Sequence, residues 1–468
     1  MNLEGLDDSA VVISGISGKF PKSNNINDLR ENLINGEDCV SADHTRFKLG
    51  HLSKFMAPEI KMALEVTFEA IIDAGINPVE LRNKKTNVYG VLGLYESDSY
   101  TMKDKTQENG YSLLGYCRGL LANRISFCMG LTGSSCTIDS SSISSSLAIQ
   151  KAYDAIKAGD CDYAIVSGGI LSLLPQTSYQ LYELGLLSAD GVNRSFDKKA
   201  SGFTRSDSIG TIFLQRAENA KRVYAEVVNL SVKYTEAIPR NTCLFPKAEF
   251  QTQIMKQTLK HCGLKPSDVT YIEADGTAIK SMDLEELKAI DLVYGQDRSL
   301  SNPLLIGSVK SNIGNAYNNN AINSIIKVLI AMETGVIPPN LHYSEPPEEA
   351  QCLRDGRVKV IKEPTPWTDC YAAVNTAALN GSFSHIILKR HSKKKQRRKL
   401  SPYNMPRLFV ASCRTQEMIS SIFDILNSNR GDDELAQLIT DITEKPFSNS
   451  LYSGYTVIPN FEAAVQSN

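Results

Sequence analysis

The sequence predicts an α/β protein in which helices cover both faces of parallel-rich sheets. Short apolar runs typical of buried strands alternate along the chain with longer segments typical of helices. This alternation favours a layered α/β architecture, because the helical connections between parallel strands cover the two faces of a sheet. With 468 residues, the chain is also long enough for two or three domains' worth of hydrophobic core.

The first half of the chain begins with an apolar strand segment, Ala-Val-Val-Ile-Ser at residues 10–14, followed by Gly15 and Gly18. Residues 61–75, after Met56-Ala-Pro-Glu59, are predicted to form a helix, because proline is favoured in the first helical turn. The other elements predicted in this half are helices at residues 28–34 and 121–127, strands at 87–94, 136–138 and 163–167, and a loop at 195–207.

The second half repeats the alternation of strands and helices. Strands are predicted at residues 225–232, 269–273 and 304–309, and helices at 249–262, 282–294 and 321–334. Beyond residue 405 the pattern indicates a smaller α+β unit, with strands at 408–411 and 450–457 and amphipathic helices at 417–427 and 434–443.

A serine-rich stretch stands out at Asp139-Ser-Ser-Ser-Ile-Ser-Ser-Ser-Leu-Ala-Ile-Gln150, between a short apolar strand and a helix that runs to about Gly159. Free N–H groups and the helix dipole favour negative charge at such a helix start, so a nucleophile can be held there. Serines at a helix start are, however, more often caps than catalysts. The stretch by itself therefore leaves both interpretations open.

Three further motifs indicate a family: Glu273-Ala-Asp-Gly-Thr277, Lys310-Ser-Asn-Ile-Gly314 and the segment at residues 375–388. Together with the serine-rich stretch, they closely resemble the ketosynthase (β-ketoacyl synthase) domain of animal fatty acid synthase over about residues 11–390. The resemblance implies a thiolase-like fold, with two similar βα halves layered as αβαβα. It also implies a homodimer and an acyl-chain cleft near the dimer interface.

The resemblance further implies that a cysteine and two histidines carry condensation in the family, and all three positions are changed here. The family's D-T-A-C-S-S-S stretch aligns without a gap and places Ser142 at the nucleophile. Asp275 stands at the histidine of E-A-H-G-T, and Asn315 stands at the histidine of K-S-N-x-G-H. Lys310 is retained from the polar set. The combined loss suggests that the protein no longer condenses acyl groups.

The loop that closes the family's site is altered as well. The family's G-F-G-G-S-N-V-H reads Ala378-Leu-Asn-Gly-Ser-Phe-Ser-His385, so that Leu379 replaces the gating aromatic residue. We expect different loop packing, because alanine and asparagine reach the conformations of glycine less readily. His385 is expected to be a structural histidine. Leu379, Phe203 and Thr277 are the predicted ligand-binding residues of the remaining cleft.

A new mechanism at Ser142 would need a general base. Asp275 could serve, but a carboxylate matches the proton of a hydroxyl poorly unless its pKa is strongly raised. A neighbouring Lys310 cation stabilises the carboxylate form of Asp275. We therefore expect an Asp275–Lys310 ion pair that occupies and blocks the former catalytic site. The sequence has no histidine at either catalytic position and no G-x-S-x-G around Ser142. Cys136, on the incoming strand, is expected to be buried.

Composition argues against several classes of protein. With a net charge of −2, the protein has no overall positive field that would attract nucleic acid or an anionic membrane. No apolar run approaches the roughly eighteen residues of a membrane span, and residues 1–10 lack the pattern of a secretory signal. The ten cysteines are scattered and the six histidines are isolated, so we expect no metal site. Reduced, mostly buried thiols in a cytoplasmic protein are predicted.

Three functions stay open. The first is a non-catalytic homologue that binds an acyl or other apolar ligand, or serves as a structural, dimerising protein. The second is an acyltransferase or esterase with Ser142 as acyl acceptor. The third is a truncated subunit that pairs with a complete fatty acid synthase and modulates it. No cofactor is predicted, since dinucleotide and phosphopantetheine motifs are absent, so acyl groups must arrive on coenzyme A or an acyl-carrier protein.

The domain prediction places a ketosynthase-like domain at residues 1–390, with halves at roughly 1–220 and 221–390. A basic linker at 391–404 and a small α+β unit at 405–468 follow, and the latter resembles the linker domain of animal fatty acid synthase. The run at 389–399 carries eight basic residues. A solvated linker and a nuclear-localisation or anionic-surface patch are both open. A surface segment that the family has just before Met56 is missing.

Overall fold

The computed structural model describes residues 6–40, 56–97, 114–235, 245–391, 407–413, 415–429, 435–436, 439–440 and 452–458. The segment before Met56, most of the basic run at 389–399 and most of the helix predicted at 434–443 lie outside these ranges. Within the ranges, no helix is both long and apolar enough to cross a membrane.

The first half of the chain alternates strands and helices as the sequence predicts. Proline at the start of α2 occupies the first helical turn, as expected. The elements are β1 (Val11–Lys19), α1 (Ile26–Ile34), α2 (Pro58–Asp73), β2 (Thr86–Leu92), α3 (Leu120–Met129), β3 (Ser135–Ile138), α4 (Ser144–Ala158), β4 (Tyr163–Ile170), α5 (Pro175–Glu183) and β5 (Ser208–Arg216).

The second half follows the same pattern, and the helix predicted at 282–294 ends earlier, in a π-helical turn at Asp291–Gly295. The elements are β6 (Ala225–Tyr234), α6 (Ala248–Cys262), β7 (Val269–Glu273), α7 (Lys280–Ile290), β8 (Leu304–Gly307), α8 (Lys310–Ile313), α9 (Asn320–Thr334), β9 (Val336–Ile337), α10 (Gln351–Arg354), β10 (Val358–Val360), β11 (Thr365–Pro366), β12 (Tyr371–Ala377) and β13 (Ser382–Arg390).

The two halves of the main sheet have the same arrangement of strands. In order across the sheet, the strands are β10-β8-β7-β12-β13-β6-β1-β5-β4-β2-β3. From β1 outward, the pairs with β5 and β4 are antiparallel, and β2 and β3 then add in parallel. From β6 outward, β13 and β12 are antiparallel, and β7 and β8 then add in parallel. The two halves meet where Val12 pairs with Glu226 and Ile13 with Ala225.

Helices fill a central layer and two outer layers. Every residue of α9 from Asn320 to Met332 is buried, and α9 packs with α4 in one core cluster that both halves of the sheet contribute to. Helices α2 and α3 cover the outer face of the first half, and α6 and α7 cover that of the second. Each isoleucine or leucine buried in these layers contributes about 1.5–3 kcal/mol. The result is the αβαβα layering that the family resemblance implies.

The sequence predicts a strand that ends at residue 14. In the structure, β1 continues through Gly15 and Gly18 to Lys19. Helix α2 packs directly on the strand here, and a Cβ at Gly15 would lie 2.0 Å from the Ala70 carbonyl oxygen. Glycine within a strand marks such a close approach of another backbone. Gly15 therefore allows the helix to pack on the strand, and neither glycine ends the strand.

The prediction of mostly buried thiols is wrong. All nine described cysteines are free, but only Cys39, Cys161 and Cys352 are buried. Cys136, which is predicted to be buried, is exposed. The reason is topological, because β3 is the outermost strand on its side of the sheet.

The small C-terminal unit pairs β14 (Arg407–Cys413) with β15 (Tyr452–Ile458) in antiparallel fashion, next to α11 (Gln416–Ser428). Phe409 of β14 and Leu426 of α11 are buried in its core cluster. The strands predicted at 408–411 and 450–457 and the helix predicted at 417–427 are thus present. The basic run starts inside the sheet, since Lys389 and Arg390 are the last residues of β13.

Candidate active site

Ser142 lies in the turn between β3 and α4, just before Ile143 at the helix N-cap. Ser141 has a φ of 59°, in the left-handed region that residues other than glycine rarely occupy. The Ser144 hydroxyl holds this turn, because it accepts from the Ser140 N–H at 2.7 Å and donates to the Ser141 carbonyl at 2.6 Å. Ser142 is consequently fixed beside the first turn of α4 and is only 6% exposed.

The serines after this turn pack closely, but none of them provides the helix N-cap. The N-cap falls on Ile143, whose side chain has no hydrogen-bonding atom. Ser145 and Ser146 are fully buried. Ser145 accepts from the Ala321 N–H at 3.1 Å, and the hydroxyls of Ser146 and Thr376 lie 2.6 Å apart. These contacts join α4 to α9 and to β12.

Asp275 follows β7 and faces Lys310 at the start of α8. Lys310 Nζ lies 2.5 Å from Asp275 Oδ1 and 2.8 Å from the carbonyl oxygen of the same residue. The two residues are 4% and 2% exposed, respectively. The predicted Asp275–Lys310 ion pair is therefore present, and charge-assisted hydrogen bonds fix both side chains.

Two buried carboxyl groups of α7, neither of which the sequence motifs indicate, hold the loop that carries Asp275. Glu286 accepts from the N–H groups of Asp275 and Gly276 at 2.9 and 3.0 Å. Asp283 accepts from the Thr277 hydroxyl at 3.1 Å. Burial raises the pKa of Glu286 to about 6, with the Asp275 charge as a further cause, and raises the pKa of Asp283 to about 7. Their three-residue spacing on one helix face was the available signal.

Asn315 is engaged by its own loop. Its Oδ1 accepts from the Tyr317 N–H at 2.9 Å and from Asn320 Nδ2 at 3.0 Å. Its backbone also pairs with the loop at 195–207, since the Asn315 N–H donates to the Thr204 carbonyl and its carbonyl accepts from the Ser206 N–H. The amide oxygen is thus already occupied by hydrogen bonds to neighbouring residues.

The three changed positions share one pocket of about 300 Å³, measured with the open space at its mouth. Ser142, Asp275 and Asn315 line it, and so do the predicted ligand-binding residues Phe203, Thr277 and Leu379. The other lining residues are Ile279, Met282, Tyr317, Asn320 and Ala377. Lys310 does not line the pocket but lies behind Asp275, to which it is paired.

Ser142 lacks a partner that could activate it. Across the part of the chain that the structure describes, its hydroxyl makes no hydrogen bond. A serine hydroxyl becomes a competent nucleophile only with an adjacent general base. Asp275, the candidate base that the sequence offers at a former catalytic position, is tied to Lys310.

His385 provides no base either, and its predicted structural role is confirmed. It is fully buried, with Nδ1 2.7 Å from Asn375 Oδ1 and Nε2 2.7 Å from the Tyr294 hydroxyl. Burial lowers the pKa of this imidazole to about 3, so it stays neutral at physiological pH. Both ring nitrogens are used in binding β13 to its neighbours.

Three family models match consecutive parts of the chain. They are "Beta-ketoacyl synthase, N-terminal domain" over residues 43–220, "Beta-ketoacyl synthase, C-terminal domain" over 224–344 and "Ketoacyl-synthetase C-terminal extension" over 346–457. The chain therefore belongs to the ketosynthase family of condensing enzymes. The match to the extension also confirms the resemblance of the C-terminal unit to a synthase linker.

Relatives come from both fatty acid and polyketide synthases. The fatty acid synthase of Anser anser anser is 36% identical over 354 residues, which cover 70% of this chain and 99% of that sequence. The highly reducing polyketide synthase AFT9-1 of Alternaria alternata is 30% identical over 375 residues, covering 78% of this chain. The chain spans only 12% of the length of that synthase.

Solved structures agree on the fold. The oxazolomycin ketosynthase domain OzmH KS7 of Streptomyces albus JA3453 superposes with a TM-score of 0.82 at 24% identity, covering 98% of this chain and 87% of that one. The ketosynthase from module 1 of the bacillaene synthase of Bacillus amyloliquefaciens FZB42 gives 0.82 at 21% identity, covering 97% and 86%. The thiolase-like fold is therefore confirmed.

Proposed function

We propose that this ketosynthase-family protein no longer condenses acyl groups and acts instead by holding an apolar or acyl ligand, or as a dimerising structural protein. The observation that carries the proposal is the ion pair between Lys310 and Asp275, 2.5 Å long, in the wall of the pocket that Ser142 lines. A carboxylate matched by a buried ammonium group has little tendency to take a proton from a hydroxyl.

Asn315 supports the same conclusion. An amide neither gives nor takes a proton near neutral pH, and the oxygen of this one already accepts two hydrogen bonds. A thiolate at a helix start is a competent nucleophile, whereas the hydroxyl of Ser142 needs a base that neither neighbour provides. The three replacements remove the nucleophile and both proton-handling groups together.

Apolar side chains in the same pocket support a remaining binding role. Phe203, Met282 and Leu379 line it together with the hydroxyl of Thr277. We propose a fatty acyl or similar apolar group as the ligand, delivered on coenzyme A or an acyl-carrier protein.

The exposed edge of the main sheet supports a homodimer. Strand β3 is the outermost strand on its side, and an unpaired strand edge is a template for pairing with another chain. Phe127, on the adjacent helix α3, is 88% exposed. A complete fatty acid synthase is the alternative partner, and the cytoplasmic location stays a prediction.

The test is the intact mass of the purified protein after incubation with acetyl-CoA, palmitoyl-CoA and malonyl-CoA. We expect no adduct on the native chain. A revertant that combines Ser142→Cys, Asp275→His and Asn315→His should be acylated, because the thiolate needs no base and the pocket persists. An adduct on the native chain that is lost in Ser142→Ala would overturn the proposal. A folded revertant that stays unmodified would contradict the retained acyl pocket.

One observation favours a second candidate, an acyltransferase or esterase that uses Ser142. Its hydroxyl lines the pocket without a described partner and follows Ser141, whose φ of 59° resembles the strained turns that present nucleophiles. The same mass measurement separates the two candidates, because covalent acylation of Ser142 belongs to the second alone. Steady hydrolysis of p-nitrophenyl acetate that disappears in Ser142→Ala would mark an esterase.

A further inference from the structure

Three polar atoms of pocket-lining residues have no hydrogen-bond partner in the part of the chain that the structure describes. They are the Ser142 hydroxyl, Asp275 Oδ2 and Asn315 Nδ2. Asp275 uses its other oxygen for Lys310, and Asn315 uses Oδ1 for its own loop. The three residues are each more than nine-tenths buried. Because a buried polar group without a hydrogen bond is costly, these atoms indicate what a ligand must supply.

The three atoms differ in the partner that they need. An ionised carboxylate oxygen only accepts hydrogen bonds, an amide nitrogen only donates them, and a hydroxyl does both. Asp275 Oδ2 therefore needs an O–H or N–H of the ligand, whereas Asn315 Nδ2 needs a ligand oxygen. A thioester carbonyl serves Asn315 alone, because it has no proton to donate. A ligand hydroxyl serves either residue, since it has one proton and two lone pairs.

No basic side chain is available to balance a negatively charged ligand. Among the described residues that line this pocket, none is a lysine, an arginine or a histidine. Lys310 lies behind Asp275, to which its ammonium group is paired at 2.5 Å. An adjoining cavity shares Asp275, and its described lining adds the carboxyl groups of Asp283 and Glu286 but again no basic residue. A ligand carboxylate would therefore be buried without a counter-ion, which is strongly unfavourable.

We propose that the pocket selects an apolar chain that carries a hydroxyl group and excludes a chain that carries a carboxylate. Asp275 determines this specificity, because Oδ2 accepts from the ligand hydroxyl and repels a ligand carboxylate. Phe203, Met282 and Leu379 contact the apolar part. The inference rests on the proposed binding function and names its ligand. A hydroxyacyl thioester and a free long-chain alcohol share this chemistry.

Three thioesters that differ only at the carbon β to the carbonyl test the preference. That carbon bears a hydroxyl in 3-hydroxybutyryl-CoA, no polar group in butyryl-CoA, and is itself the carboxylate in malonyl-CoA. In equilibrium dialysis, the native chain should bind 3-hydroxybutyryl-CoA at least about tenfold more tightly than butyryl-CoA, and malonyl-CoA most weakly. Equal affinity for 3-hydroxybutyryl-CoA and either of the others would overturn the proposal and leave the proposed binding function intact.

Octan-1-ol and octanoate distinguish a free chain from a thioester. The alcohol should bind at least about tenfold more tightly than the carboxylate. This preference, found without binding of any of the three thioesters, would assign the pocket to free alcohols. If neither the thioesters nor octan-1-ol bind, the proposed binding function and this inference both fail.

Leu379→Lys supplies the missing cation. Leu379 lines the pocket and is only partly buried, so a lysine can retain its charge there. This variant should bind malonyl-CoA about tenfold more tightly than the native chain does, because the new ammonium group offsets the charge of the ligand. Leu379→Met is the matched neutral control and should keep the native order of affinities. A folded Leu379→Lys chain with unchanged affinity for malonyl-CoA would contradict the proposal.

The double variant Asp275→Asn with Lys310→Met tests Asp275 itself. It removes both charges of the ion pair, so neither is left buried alone. The preference for 3-hydroxybutyryl-CoA over butyryl-CoA should fall by about threefold or more, because a hydrogen bond to a neutral amide is weaker than one to a carboxylate. The full native preference in this variant would rule out Asp275 as the residue that selects the hydroxyl.

Discussion

Lys327 Nζ lies 3.0 Å from Glu273 Oε2, and both side chains are fully buried. The contact is an ion pair without hydrogen-bond geometry, so the charge of Glu273 is the compensation that the structure provides for this ammonium group. Glu273 also accepts from the Val309 N–H at 2.5 Å. Because Glu273 precedes Asp275 and Val309 precedes Lys310, this buried carboxylate aligns the two segments that carry the pair in the pocket wall.

Replacing Glu273 with glutamine should lower the free energy of unfolding by about 3–5 kcal/mol, because Lys327 is left charged and uncompensated in the core. Urea unfolding measures the change. The double variant Glu273→Gln with Lys327→Met should recover most of the loss. Glu348→Gln is the control, since its pair with Lys198 is exposed and should contribute less than about 1 kcal/mol. A loss in the single variant no larger than in this control would contradict the assignment.

The strained turn before Ser142 allows a second prediction. Ser141→Gly should stabilise the protein by about 1 kcal/mol, because glycine adopts a φ of 59° without the steric penalty. Ser126→Gly, inside helix α3, is the contrast and should destabilise by a similar amount, since glycine is unfavourable in a helix interior. Thermal and urea unfolding should agree on the opposite signs. Destabilisation by both replacements would show that the Ser141 hydroxyl outweighs the strain.

His385 should make the protein sensitive to acid. Its pKa is about 3 in the folded state and 6.5 without burial, so the unfolded state binds more protons below pH 6.5. Stability from the neutral imidazole is thus complete above pH 6.5 and is lost as pH falls toward 3. Between pH 6.5 and 5 the loss should reach about 2 kcal/mol. Urea unfolding of the native chain and of His385→Gln over this range isolates the contribution.

Other groups titrate in the same interval, so the comparison between the two chains is the informative quantity. The difference in unfolding free energy should change with pH in the direction that favours His385→Gln under acid conditions. A difference that stays constant from pH 6.5 to 5 would mean that His385 is protonated in the folded protein.

Phe127→Asp should dissociate the proposed dimer, because a charge would be buried next to the paired β3 edges. Leu300→Asp is the matched control, since Leu300 is 79% exposed and lies before β8, away from that edge of the sheet. Sedimentation velocity at micromolar concentration distinguishes dimer from monomer. A native chain that sediments as a monomer, or a Phe127→Asp variant that stays dimeric, would contradict this interface.

Much of the fold is predictable because its signals are local. The alternation of apolar runs and helical segments places β7 and α9 within a residue or two of their observed bounds. The errors have tertiary causes. Gly15 sits under the backbone of α2, and Cys136 lies on an edge strand that has no neighbour on one side within the described chain. The domain boundaries at 220 and 390 stay predictions.

The sequence by itself determined the fold class, the family and the replacement of the nucleophile and both histidines, because each depends on residue identity within a short motif. Only the tertiary structure decided how those residues interact. It joined Asp275 to Lys310 and placed Glu286 and Asp283 behind them. These contacts link segments far apart in the chain, and their strength depends on burial, which no local pattern of residues contains.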